Sequence, residues 1–242
     1  MISYYLLTNK GDRDNNEDNV GMFQSGREYC FALADGLGGH GRGEVASKIA
    51  VEQAVTTFAQ LGSASTDCII KSFQNGQKEI LEEQKKNRGF NEMKTTLVLL
   101  LVGEEIVQWA HIGDSRLYHF EKGKLVGRTL DHSVPQMLVA AGEIKEKQIR
   151  NHPDRNRLLR VMGVDWEEPR FQMGESLKRQ PGQAFLLCTD GFWELIEEKK
   201  MAACLKRAAS PQEWLEQMEE IVVKQGRGRN MDNYSAVGVW ID

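Results

Sequence analysis

The chain has 242 residues, a net charge of −4 and 27% charged residues, with only short apolar runs. That balance suits one large soluble domain with a full core and argues against disorder. It gives no electrostatic footprint for nucleic acid or an anionic membrane. The longest apolar run, LVLLLV at 97–102, falls far short of the roughly 20 residues that cross a bilayer. The opening MISYYLLTNKGDRDN lacks the basic start of a secretory signal. Cys30, Cys68, Cys188 and Cys204 form no C-x-x-C pair, so a reduced, cytoplasmic protein that meets neither membrane nor nucleic acid is expected.

In chain order, strands are expected at SYYLLT, NVGMF, EYCFALAD, TTLVLLLVG, EIVQWAHIG, SRLYHFE, KLVGRT, PRFQMGE, AFLLCTD and YSAVGVWID. Several are joined by short polar turns such as VGEE and EKGK, which favour antiparallel hairpins over crossover helices. Helical spacing recurs at Val45, Ile49, Ala50, Ala54 and Phe58. It returns at Ile69, Ile70, Phe73, Ile80 and Leu81, and again at Trp214, Leu215, Met218, Ile221 and Val222. Many antiparallel strands with helices grouped in two places predict an α+β layered sandwich, two packed sheets covered by helices. Residues 131–168 carry charge and short helical pieces without strand pattern. They are expected to form a surface subdomain inserted between strands, where substrate contacts arise.

The run ADGLGGHG, Ala34 to Gly41, matches the G-x-G-x-x-G fingerprint of dinucleotide-binding turns. Asp35 argues against that reading, because it puts a carboxylate where a pyrophosphate needs backbone N–H groups and positive potential. A carboxylate belongs there if a cation lies between it and a phosphate. Four more stretches set an acid beside a strand end or tight turn: NNEDN with Asp18, HIGDSR with Asp114, LCTDGFW with Asp190 and NMDNYS with Asp232. Any one alone reads most simply as a turn or helix cap. Five together offer the all-oxygen ligand set that Mg²⁺ and Mn²⁺ select.

These blocks occur in one order from Arg13 to Asn233: Arg13 with Asn15 to Asp18, DGLGGHG followed by EVAS, Thr95 and Thr96, HIGDSR, DHS at 131–133, CTDGFWE, and Asp232 with Asn233. In them the chain resembles the metal-dependent Ser/Thr protein phosphatases of the 2C type, the PPM family, in their compact bacterial form. The resemblance implies a four-layer αββα sandwich of two central antiparallel sheets flanked by helices, a single phosphatase domain over 1–242 with a flap at about 131–168. It implies two Mn²⁺ or Mg²⁺ ions at one sheet edge. Asp35 would bridge them, the Gly36 carbonyl would help hold the second, and Asp190 and Asp232 would ligate the first. Asp18 would hold waters on the second ion, a role Glu17 could share, and Asp114 matches the acid of a weaker third ion.

The chemistry implied is in-line attack on phosphorus by a hydroxide bridging the two metals, without a phosphoenzyme. Arg13 is expected to grip the substrate phosphate. Leu37 stands where some members have a histidine that protonates the leaving alkoxide, which leaves His40 as the candidate acid; its plainer reading is support for the turn. Ser115 lacks a G-x-S-x-G elbow and reads as structural, as does His111. The implied substrates are phosphoserine and phosphothreonine proteins, a Ser/Thr kinase among the partners, acted on by a monomer. Two other functions remain open: a phosphatase-like binding module without turnover, and a regulator that acts on anti-sigma-factor antagonists.

Overall fold

The computed structural model describes residues 1–38, 42–86 and 92–242. Among the described residues the strands form two antiparallel sheets. The first runs β1 (Ile2–Asn9), β12 (Tyr234–Ile241), β11 (Gln183–Cys188), β7 (Arg116–Glu121), β8 (Lys124–Arg128). The second runs β10 (Leu177–Lys178), β6 (Ile106–Ile112), β5 (Leu97–Val102), β3 (Glu28–Leu37), β2 (Asp18–Ser25), with β4 (Lys94–Thr95) beside β3 and β9 (Gln172–Met173) beside β6. The expected PRFQMGE strand is thus reduced to the two-residue β9, followed by an equally short β10.

Alternation along the strands builds three apolar layers. On β3, Phe31 and Leu33 face the opposite sheet, while Cys30, Ala32 and Ala34 face helices. On β5, Val98, Leu100 and Val102 face the opposite sheet and Leu97, Leu99 and Leu101 face helices. An apolar run buried on both faces is what a strand inside four layers requires. From the first sheet, Leu117, Phe185, Leu187, Val237 and Val239 close the central layer. The outer layers are α1 (Arg42–Leu61) and α2 (Thr66–Lys86) on one side, α5 (Glu198–Arg207) and α6 (Pro211–Gly226) on the other. The molecule is therefore an αββα sandwich, as the sequence leads one to expect.

Local chemistry explains the helices. Ser210 caps α6 by accepting a hydrogen bond from the Glu213 N–H at 3.1 Å, Pro211 opens the helix, and Trp214, Leu215, Met218 and Val222 are its buried face. Helix α5 escapes sequence reading because only Met201 and Cys204 of its ten residues are buried, too narrow a stripe to stand out among five charges. Among the described residues no helix is long and apolar enough to cross a membrane.

Segment 131–168 holds α3 (Val134–Ala140), capped by Ser133, and a 3₁₀ turn at Glu146–Asn151. It is tied down by buried polar contacts. Arg116 donates to both oxygens of Asp131, at 2.8 and 2.7 Å, with its guanidinium 3.4 Å above the Trp193 ring. His132 stacks on His111 with ring centroids 4.6 Å apart, and its Nδ1 accepts the Gly113 N–H. His111 is a packed strand residue, its Nε2 2.8 Å from the Leu130 carbonyl oxygen.

Burial, with His111 beside it, lowers the His132 pKa to about 4, against about 6.5 in an unfolded chain. The folded protein thus resists a proton that the unfolded chain accepts, so this site's contribution is full above about pH 6.5 and is lost as pH falls toward 4, by at most ~1.4 kcal/mol per pH unit. Urea titrations between pH 7 and 4 are expected to show a shallower fall for His132→Asn, whose side-chain oxygen can still accept the Gly113 N–H. Parallel curves for the two proteins would refute this.

Candidate metal centre

The five acids singled out in the sequence sit at one end of the two sheets. Asp18 begins β2 and is the register partner of Asp35 near the end of β3. Asp114 lies in the turn from β6 to β7, Asp190 follows β11 as the first residue of α4 (Asp190–Trp193), and Asp232 precedes β12. Asp35, Asp114, Asp190 and Asp232 line one pocket of about 450 Å³ together with Glu17 and Arg13.

Backbone clamps set each position. The Asp35 N–H donates to Thr96 Oγ1 at 2.9 Å, and its carbonyl accepts from the Thr96 N–H and from Thr95 Oγ1. Thr96 Oγ1 also lies 2.7 Å from Ser115 Oγ, which gives that buried serine its structural role. The Gly36 N–H donates to the Glu17 carbonyl, which Ser47 Oγ also reaches at 2.6 Å. A Cβ on Gly36 would overlap the Gly43 backbone at the start of α1, so glycine here permits a backbone-to-backbone approach. Asn233 joins the chain ends of the site: its Oδ1 accepts the Glu17 N–H and its Nδ2 donates to the Lys10 and Asn15 carbonyls, all at 2.8 Å. Trp193 Nε1 holds the Asp114 carbonyl at 3.0 Å. Arg13 Nη2 meets Asp232 Oδ2 at 2.9 Å.

Asp18 departs from its expected place. It is buried behind the pocket wall, with Oδ2 accepting from Thr189 Oγ1 at 2.9 Å and Oδ1 lacking any hydrogen-bond partner. The neighbouring Glu17, the last residue before β2, lines the pocket instead. His40 lies outside the described residues. The loop residue Asn156 on the pocket rim carried no periodicity or motif by which the sequence could mark it.

Electrostatics show what the cluster lacks. Burial, then the charges of Asp18, Asp190 and Asp114, raises the Asp35 pKa far above the carboxylate range. Burial and Asp232 raise Asp190, while burial and Asp190 raise Asp114. Burial brings Asp18 to about 7, with Asp190 and Asp232 adding to the shift. Asp190 thus raises the pKa of Asp35 and of Asp114 alike. Such carboxyls ionise together only beside a compensating positive charge. The pocket's donors are carboxylate oxygens, so the residues present fit hard divalent cations. Among the described residues no three acids close around a common point for direct ligation; the wider pocket suits ions that keep several waters.

The family model for protein phosphatase 2C matches residues 9–225. The chain belongs to that family. It is similar to the serine/threonine phosphatase stp of Listeria monocytogenes, 33% identical over 201 residues that cover 80% of this chain and 79% of the relative. It is also 30% identical to the serine/threonine protein phosphatase PstP of Mycobacterium tuberculosis over 98% of this chain, which spans 44% of that longer protein. Among solved structures, Stp1 of Staphylococcus aureus superposes with a TM-score of 0.89 at 25% identity, covering 100% of this chain and 96% of that one. The PstP catalytic domain in complex with two manganese ions gives 0.82 at 27% identity, covering 100% and 99%.

The Thr96 clamp generates a prediction. Thr96→Val leaves the buried Asp35 N–H without its acceptor at nearly unchanged volume, which costs ~1–3 kcal/mol. Chemical denaturation should read that loss, and any hydrolytic activity should fall with it. A fully stable, fully active variant would show that the clamp does not set Asp35.

Proposed function

We infer that this protein is a metal-dependent phosphatase that removes phosphate from phosphoserine and phosphothreonine in proteins. The observation that carries the reading is one pocket in which Asp35, Asp114, Asp190, Asp232 and Glu17 converge beside Arg13. Membership of the protein phosphatase 2C family supports it, as do relatives named Ser/Thr phosphatases.

In this reading Asp35, the Gly36 carbonyl, Asp190, Asp232 and Glu17 hold a pair of Mn²⁺ or Mg²⁺ ions. Asp18 acts from behind the wall through its bond to Thr189, and Asp114 serves a weaker third ion. Bound there, such ions lower the pKa of water and neutralise phosphoryl oxygens, which makes hydrolysis at neutral pH accessible. The chain's own residues bind and orient. Arg13 offers a planar fork for two phosphate oxygens, and its bond to Asp232 aims that fork across the pocket mouth. The 131–168 flap borders the pocket through Asn156 and Leu158 and so meets the substrate polypeptide around the phosphorylated residue. His40 is the candidate for protonating the leaving alkoxide.

The substrates fit phosphoproteins that a Ser/Thr kinase has modified, and that kinase is itself a candidate substrate. Four buried free thiols agree with a reducing cytoplasm, and the two-sheet scaffold works as a monomer. The reading as a non-catalytic module gains little, since holding these carboxyls together costs stability that binding alone would not require.

Metal-stripped protein is expected to release phosphate from a phosphothreonine peptide only on addition of Mn²⁺ or Mg²⁺. Asp35→Asn or Asp190→Asn should lower kcat by at least ~10²-fold, the scale of losing one transition-state-stabilising group. Mn²⁺ should raise Tm of the parent but not of the combined Asp35→Asn/Asp190→Asn variant. Release that persists in EDTA, or full activity in Asp190→Asn, would overturn the assignment. Arg13→Ala should lower kcat/KM by ~10–100-fold, since charge-assisted hydrogen bonds are worth about 1.5–3 kcal/mol, and equal kinetics would remove Arg13 from phosphate binding.

A further inference from the structure

A second pocket, of about 370 Å³, opens beside the acid pocket and is walled off from it by Arg13, Asn156, Asp190 and Asp232, which line both. Its remaining walls come from two separate places: Arg150, Asn151, Arg155 and Glu194 at the flap and α4, and the 226–231 turn with Arg229 and Asn230 after α6. Four guanidinium groups thus meet one Glu and the two Asp of the shared wall.

The arginines differ in what they have free. Arg150 is committed, donating to Glu198 at 2.7 Å and to the Ile196 carbonyl at 3.1 Å. Arg155 pairs with Glu194 at 3.2 Å, an exposed contact of the kind that contributes little and rearranges readily. Arg229 is exposed and, among the described residues, enters no ion pair. Its turn is nevertheless fixed: Asn230 adopts φ +55, a conformation that asparagine tolerates. The Met231 N–H donates to Asp12 Oδ2 and the Asp12 N–H returns a bond to the Met231 carbonyl. A fixed turn that presents an unpaired guanidinium across a pocket from a loosely paired one is suited to an oxyanion, which arginine grips through two N–H groups.

We propose that this pocket is a specificity subsite for an anionic group, a carboxylate or a second phosphate, carried by the substrate polypeptide close to the phosphorylated residue. The inference rests on the phosphatase reading above and adds to it a preference for acidic or multiply phosphorylated sequences. The shared wall makes the two anions near neighbours on one chain: three residues of extended polypeptide span about 10 Å.

The test uses metal-loaded full-length protein and three phosphothreonine peptide series. The series carry Ala, Glu or a non-hydrolysable phosphonate side chain at each position from three before to three after the phosphothreonine, and a set with Lys at the same positions serves as the opposite-charge control. The Glu and phosphonate arms separate the two sources of charge. At one or more positions an acidic peptide is expected to exceed its Ala counterpart about tenfold in kcat/KM, the worth of one charge-assisted hydrogen bond. That ratio should collapse toward one in the Arg155→Gln/Arg229→Gln double variant. Arg229→Glu should reverse the preference toward Lys-flanked peptides, an outcome that misfolding cannot produce. Equal kcat/KM across the series, or a preference unmoved in both variants, overturns the subsite and leaves the phosphatase reading standing. No phosphate release from any peptide overturns that reading, and this one with it.

Discussion

Mutual repulsion among buried carboxyl groups is the constraint around which this fold is organised. Asp35 is buried within reach of the charges of Asp18, Asp190 and Asp114, each of which opposes its ionisation. A flexible loop would relieve such crowding by moving apart. Here the acids are fixed by strand ends, and the strands by three apolar layers that fill the sandwich. The core thus supplies the free energy that keeps like charges together until a cation arrives, a division of labour between stability and function.

The connection between core and acids is made by backbone more than by side chains. Asp35 is held through its own peptide groups by Thr95 and Thr96, and Glu17 through its N–H and carbonyl by Asn233 and Ser47. The Cα of each acid is thereby pinned at the pocket by main-chain bonds. Segment 131–168 is anchored otherwise, by the bidentate Arg116–Asp131 pair stacked over Trp193. Trp193 also holds the Asp114 carbonyl, so one indole touches both that anchor and the acid pocket.

Much of this was legible in the sequence. Period-two apolar runs, short polar turns and an Asp at several strand ends were enough for the layered sandwich and for the convergence of Asp35, Asp114, Asp190 and Asp232. Helix α5 was missed because its buried stripe is two residues wide, and the PRFQMGE strand was overread because it is an edge with only two paired residues on each side of a break. Within the NNEDN block, sequence could not decide which of two adjacent acids faces the pocket. That choice depends on the strand's pairing, which puts Glu17 on the wall and Asp18 behind it. The arginine-lined pocket was beyond reach for a different reason: its walls come from segments about 70 residues apart with no shared motif.

The β2–β3 pairing has a consequence far from the acids. Asp18 faces Asp35 because Ser25 faces Glu28 seven positions along the hairpin, across a two-residue turn whose Gly26 takes φ +59, as type II′ geometry demands at its first central position. Every pair in between is counted from that turn. One residue inserted or removed there, if absorbed as a slip of β2, would carry each side chain of the strand to the opposite face. The length of this small surface loop is therefore under the same restraint as the acids it helps to place. Loop tips usually tolerate insertion, and in this hairpin the tip instead sets the phase of the whole strand.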